Sequence, residues 1–168
     1  LVINRICHTV LNSGLKPVIV VTGFQHTEIE KALPKMIDQI AYNPSWEKGM
    51  AGSVYTGMSL LPDTVDGNMI VLGDMPLLTT YTLNQLIEQF CIHDGKQIIY
   101  PVYSGQQANP VIFPRKYFSE ILSSTGDRGC KKVLKQYPDD AIGISIDSEE
   151  VILDCDNKDD YYSILSKI

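Results

Sequence analysis

Apolar positions along the chain change period several times, and each change marks an element. Val2, Ile3, Ile6, Cys7, Val10 and Leu11 recur at helical spacing, with Gly14 behind them as a stop. "KPVIVVTG" (16–23) is a continuous apolar run ended by glycine, which predicts a short buried strand. Thr27 caps a helix over about 27–36, limited by Pro34, and "DQIAYNP" (38–44) predicts a second strand closing at Asn43-Pro44. A helix rich in small residues follows over 50–61, entered through Lys48-Gly49. Met69, Ile70, Val71 and Leu72 do not alternate with polar residues, so they read as a strand buried on both faces, ending in Gly73 and Asp74.

In the second half, Leu83, Leu86, Ile87, Phe90 and Cys91 fall on one helical face, with Thr82 and Gln85 spaced as a capping box. "QIIYPVY" (97–103) and "PVIFP" (110–114) predict strands on either side of a polar loop. Helices over about 115–122 and 128–137, short strands near 142–146 and 151–153, and a closing helix from Lys158 complete the pattern. Strand and helix alternate through the first half, which predicts a mostly parallel sheet covered on both faces in one α/β domain. No repeat, low-complexity segment or linker divides the 168 residues.

Composition narrows the partners. Fourteen Lys and Arg against twenty Asp and Glu give a net charge of −6, with no basic run, which speaks against binding a nucleic-acid duplex. A free nucleotide remains compatible, since backbone N–H groups and a metal ion can hold phosphate. Cys7, Cys91, Cys130 and Cys155 are scattered without a C-x-x-C pair, as expected for reduced thiols in the cytoplasm, and His8, His26 and His93 share no ligand spacing. No run approaches the roughly 20 apolar residues that cross a bilayer, so no membrane is expected as a partner. The opening residues read as the inside of a helix and not as a secretory leader.

Five stretches carry candidate chemistry. Asp74, at the carboxyl end of a buried strand, is either a turn-former ahead of Pro76 or the acid that holds a hard cation such as magnesium. "NPSWEKGMAGSVYTG" (43–57) joins a strand end to a helix start, a suitable place for an anion, although Gly52, Ser53 and Gly57 equally suit close helix–sheet packing. "GQQANPVIF" (105–113) puts a polar loop at the mouth of a strand, and Asp127 in "TGDRGCKKVL" (125–134) suits a helix cap. In "ILDCD" (152–156), Asp154 and Asp156 stand at a strand end, where they would complete a metal site with Asp74.

The order N-P-x-W-x-x-G-M-x-x-S, L-G-D-M-P, N-P-V-x-F, G-D-x-G and D-x-D before a final helix resembles the MobA-like nucleotidyltransferases, most closely the molybdenum cofactor cytidylyltransferase branch. The resemblance implies a Rossmann-like α/β/α nucleotidyltransferase fold and Mg²⁺-dependent transfer of a nucleoside monophosphate, CMP from CTP, to the phosphate of molybdopterin with release of pyrophosphate. A molybdoenzyme would be the client. Asp74 would be the catalytic acid and, with Asp156, the metal ligand. Asn43, Gly49, Ser53, Gly57 and Gly73 would line the nucleotide, and Asn109, Pro110, Asp127 and Asp156 the acceptor. Family members open with a strand and a glycine-rich loop that holds the triphosphate, whereas this chain starts at what resembles the following helix, about thirty residues later, one β-loop unit. Lys48, Arg115 and Arg128 are the cations nearest in sequence to the expected site. The alternatives are a nucleotidyltransferase that uses GTP or a sugar phosphate, a D-x-D glycosyltransferase, and a non-catalytic molybdopterin- or nucleotide-binding chaperone.

Overall fold

The computed structural model describes residues 2–123, 129–155 and 157–165. Its first helix, α1 (Val2–Asn12), ends at Gly14, whose φ of 77° places it in the left-handed region that glycine tolerates. Strand β1 (Ile19–Thr22) follows, then α2 (His26–Ala32) and β2 (Gln39–Tyr42). Helix α2 stops short of the expected 36 because Pro34 cannot continue it. The backbone N–H of Val18 donates to Asp38 Oδ2 at 2.7 Å and, with the Lys16 ammonium, holds that carboxyl below its usual range, fixing the start of the β1–β2 pair.

A 3-10 turn at Trp46–Lys48 leads into α3 (Met50–Met58), and β3 (Gly67–Ile70) follows. Helix α4 (Thr80–Ile92) comes next, then β4 (Ile98–Tyr103), β5 (Gln106–Gln107) and β6 (Val111–Pro114). The expected helix over 115–122 is a 3-10 turn, Arg115–Tyr117, running into α5 (Phe118–Leu122). The chain continues through α6 (Gly129–Gln136), β7 (Ala141–Ser145) and α7 (Lys158–Leu165). Residues 151–153 form no strand: a 3-10 turn at Glu149–Val151 takes their place. Helix α4 begins two residues before the expected capping box, because the side chain of Thr79 accepts the N–H of Thr82 and is the true N-cap.

Strands β1 and β2 pair in parallel as a two-stranded sheet, while the second sheet runs β3-β6-β4-β5 with β7 alongside β4. The expected parallel pairing holds for β1–β2 and β4–β7, whereas β6 runs antiparallel to both β3 and β4. The short return from β4 through β5 is long enough only for an antiparallel neighbour. Strand β3 is displaced two residues toward the amino end of its expected span. Its partner starts at Val111, and Pro110 just before it has no N–H with which to extend the ladder.

Two apolar layers sandwich the second sheet. Alternate residues of β4 and β6, Ile98, Val111 and Phe113, pack toward α3, α5 and α6, while Ile99 and Ile112 face Leu86 of α4. Below the carboxyl end of β3, Met75, Leu78, Leu83, Ala108 and Val151 join Ile6 of α1 in a third cluster. The architecture is α/β with helices on both faces.

Between the two sheets lies a cavity of about 310 Å³ lined by β1, β3 and the inner faces of α1 and α3. Among the described residues β1 pairs only with β2 and β3 only with β6, so each turns one ladder edge toward this slot. Its walls are largely apolar, including Ile3, Val10, Val20, Val54 and Met69.

Candidate active site

The segment after β2 is bonded to the first coil of α3, and Met50 and Ser53 of that helix line one cavity with Gly73, which follows β3. Asn43 follows β2 and is 4% exposed. Its Oδ1 accepts the N–H of Ser45 at 2.9 Å, and its Nδ2 donates to Ser53 Oγ at 3.0 Å. One side-chain amide thus shapes the turn and ties it to the first coil of α3. Gly52 completes the joint, since a Cβ there would stand 3.3 Å from Asn43 Nδ2. Gly49 has φ 104°, a conformation side-chain-bearing residues rarely adopt, and it lets the chain reverse from the 3-10 turn into the helix.

The remaining glycines serve packing. A Cβ on Gly57 would meet Val21 Cγ2 at 2.9 Å, and one on Gly73 would meet Ile3 Cδ1 at the same distance. Both line the slot, with Ser53 and Met50. The contact from Gly73 to Ile3 also places the amino end of α1 beside the carboxyl end of β3.

Asp74 is half-buried, with Oδ1 among its shielded atoms. Its carbonyl accepts the N–H of Cys155 at 2.8 Å, which draws the 154–155 segment to the Gly73-Asp74 turn. Asp154 itself is exposed. Asp127, Asp156 and Arg128 lie outside the described residues. Among the described residues no cluster of three His, Cys, Asp or Glu side chains forms a metal cage.

Asn109 is half-buried at the mouth of β6, and its N–H donates to the carbonyl of Val151 at 3.1 Å. It borders a second cavity, of about 110 Å³, with Gln107, Met50 and Phe113. Cys130 also lines that cavity, and burial pushes its thiol up to about 11, which leaves it protonated and unreactive near neutral pH. Pro110, between Asn109 and β6, has a fully buried side chain.

The cations divide. Lys48 is exposed in the turn before α3. Arg115 is committed elsewhere: it bonds Asp63 at 2.7 Å and reaches the carbonyls of Pro62 and Val65, at the amino end of β3 and away from Asp74. Sequence reasoning missed Glu150, a 9% exposed carboxylate that accepts the hydroxyls of Thr79, at 2.9 Å, and Thr82. The available signal was an acid beside the apolar Val151-Ile152-Leu153, which a strand reading treats as an exposed flank.

The profile of the MobA-like NTP transferase domain matches residues 1–141. The molybdenum cofactor cytidylyltransferase of Escherichia coli (strain K12) is 22% identical over 161 residues, covering 91% of this chain and 80% of that protein. The bifunctional protein GlmU of Thermoanaerobacter pseudethanolicus is 36% identical over 86 residues, 51% of this chain, and the match spans only 18% of GlmU. Among solved structures, Rv0371c from Mycobacterium tuberculosis H37Rv superposes with TM-score 0.84 at 23% identity, over 98% of this chain and 83% of its own. Its complex with manganese gives 0.82 at 21%, over 98% and 86%. At those identities the structures establish the fold.

Proposed function

The chain belongs to the MobA-like NTP transferase family, and from that premise we propose that it moves a nucleoside monophosphate, CMP from CTP, onto the terminal phosphate of a molybdopterin acceptor. An acceptor oxygen bonds to the α-phosphorus, the bond from that phosphorus to the bridging oxygen breaks, and pyrophosphate leaves with the electron pair. The observation that supports the reading is that Met50 at the amino end of α3 and Asn109 line one cavity, while Asp74 follows β3 and is tied through its carbonyl to the Cys155 N–H. A carboxylate beyond a strand end, with a helix N-terminus and an amide beside one cavity, would suit a reaction between two anions. A phosphate acceptor is already ionised near neutral pH, so no histidine base is required. The cytidylyltransferase among the relatives supports the base and the acceptor.

A divalent ion on Asp74, magnesium in this reading, would orient the α-phosphate and offset its developing charge. Asn43 and Ser53 hold the turn that presents the first coil of α3 to the triphosphate. Lys48 stands beside that coil to meet a phosphate. Asn109, steadied by Val151, faces the acceptor side. A molybdoenzyme would receive the product. The test is pyrophosphate release from CTP in the presence of Mg²⁺ and molybdopterin, with GTP and a sugar phosphate as comparisons. Acceptor binding without release would favour the chaperone reading.

The slot between β1 and β3 belongs to the same proposal. Its two facing ladder edges are what a single inserted strand would satisfy, and the position of Ile3 against Gly73 lets a segment descending the slot turn straight into α1. That segment would be the strand and glycine-rich loop of the family. The intact mass of the protein purified from its natural source is then expected to exceed 18.7 kDa, the excess sequencing as an apolar strand followed by a glycine-rich loop. A mass of 18.7 kDa would contradict it.

A further inference from the structure

Four bonds join one short segment, 149–155, to three separate places in the chain: the amino end of α4, Asn109 and Asp74. Glu150 Oε1 accepts the hydroxyls of Thr79 and Thr82 at the amino end of α4, one turn beyond the Gly73-Asp74 loop. The Val151 carbonyl accepts the N–H of Asn109 at 3.1 Å, and the Cys155 N–H donates to the Asp74 carbonyl at 2.8 Å. Val151 is fully buried with Met75, Leu78, Leu83 and Ala108, so the segment is plugged as well as bonded. Asp74 and Asn109 are 35 residues apart in sequence, yet both are held by this one strap.

The polar end of the strap has a clear logic. Thr79 Oγ1 is occupied as an acceptor by the N–H of Thr82, so its hydrogen is available to Glu150. Thr82 spends its own hydroxyl hydrogen on the same oxygen. A carboxylate at the amino end of a thirteen-residue helix also meets the favourable end of the helix dipole. An apolar residue at 150 would anchor neither threonine. Ser148 Oγ, accepting the Glu150 N–H at 3.4 Å, shapes the turn that aims the side chain inward.

We propose that Glu150 is a positioning residue: by latching the 149–155 strap to the α4 N-cap, it fixes the metal-side Asp74 and the acceptor-side Asn109 at one separation. The inference rests on the transferase reading for what that separation serves, but its mechanical content does not. The test compares Glu150→Ala and Glu150→Gln with the unaltered chain by amide hydrogen exchange and by steady-state pyrophosphate release. In Glu150→Ala the amides of Asn109 and Cys155 are expected to exchange about tenfold faster or more, while that of Ile146, bonded to Val102, stays unchanged. Turnover should fall about tenfold with the nucleotide KM within about threefold, because geometry and not nucleotide affinity is lost. Glu150→Gln keeps the accepting oxygen and should restore both readouts.

Unaltered exchange at Asn109 and Cys155 in Glu150→Ala would overturn the proposal. So would a uniform acceleration that includes Ile146, which would mean a general loss of stability. If the unaltered chain releases no pyrophosphate, the transferase reading fails, and the exchange pattern alone decides whether the strap couples the two residues.

Discussion

Asp74→Ala is expected to lower metal-dependent pyrophosphate release by about a hundredfold to a thousandfold, the scale of losing one group that offsets transition-state charge. The expectation follows from where the residue stands. Asp74 follows the carboxyl end of β3, the kind of position where open α/β sheets bind ligands. Its backbone carbonyl makes the bond to the Cys155 N–H, and truncating the side chain leaves that carbonyl in place. The three apolar clusters do not include it, and the substituted chain should keep its melting temperature within a few degrees. Asp74→Asn, which keeps the shape and removes the charge, should fall nearly as far. Activity equal to that of the unaltered chain would remove Asp74 from the mechanism.

The second large effect concerns the scaffold. Phe113→Ala should cost about 3–5 kcal/mol of stability, the usual range for emptying a buried aromatic site. Phe113 is 1% exposed in β6, the strand that joins β3 to β4. Its ring packs in the cluster of Met58, Ile98, Tyr117 and Val133, so three helices and the sheet lose a common contact. For a chain of this length the loss corresponds to a fall of roughly 6–20 °C in Tm, readable by calorimetry. Phe113 also borders the smaller cavity, so an enlarged pocket should accompany the loss. A fall of under two degrees would show that the sheet does not depend on this layer.

Much of this scaffold was legible because burial leaves periodic traces. Leu83, Leu86 and Phe90 announced α4, and "VIFP" announced β6, since each packs a continuous apolar face. Local pattern failed where pairing decides. The ends of β3 depend on Pro110, forty residues away, and the split of the sheet into two parts depends on which edges find partners. Val151 looked like a strand residue because a buried plug and a buried strand share one composition, and only the bonds of Glu149–Val151 reveal a 3-10 turn.

The site divided along the same line. Asn43 and Ser53 were singled out between a strand end and a helix start, and the structure joins them by a hydrogen bond. Glu150 was not, because its partners are threonines some seventy residues away and no spacing encodes that meeting. The burial of Pro110 was equally unreadable, because a proline beside a polar loop does not show by its spacing which way it points.

The central claim is that Asp74 holds the metal of a metal–nucleotide complex. A titration of Mn²⁺ followed by electron paramagnetic resonance, with CTP present, tests it without needing the acceptor. The unaltered chain is expected to deplete the free Mn²⁺ signal beyond what CTP alone does, with Asp74→Asn weakening that binding about tenfold or more. Equal depletion by both chains would place the metal elsewhere and contradict the account.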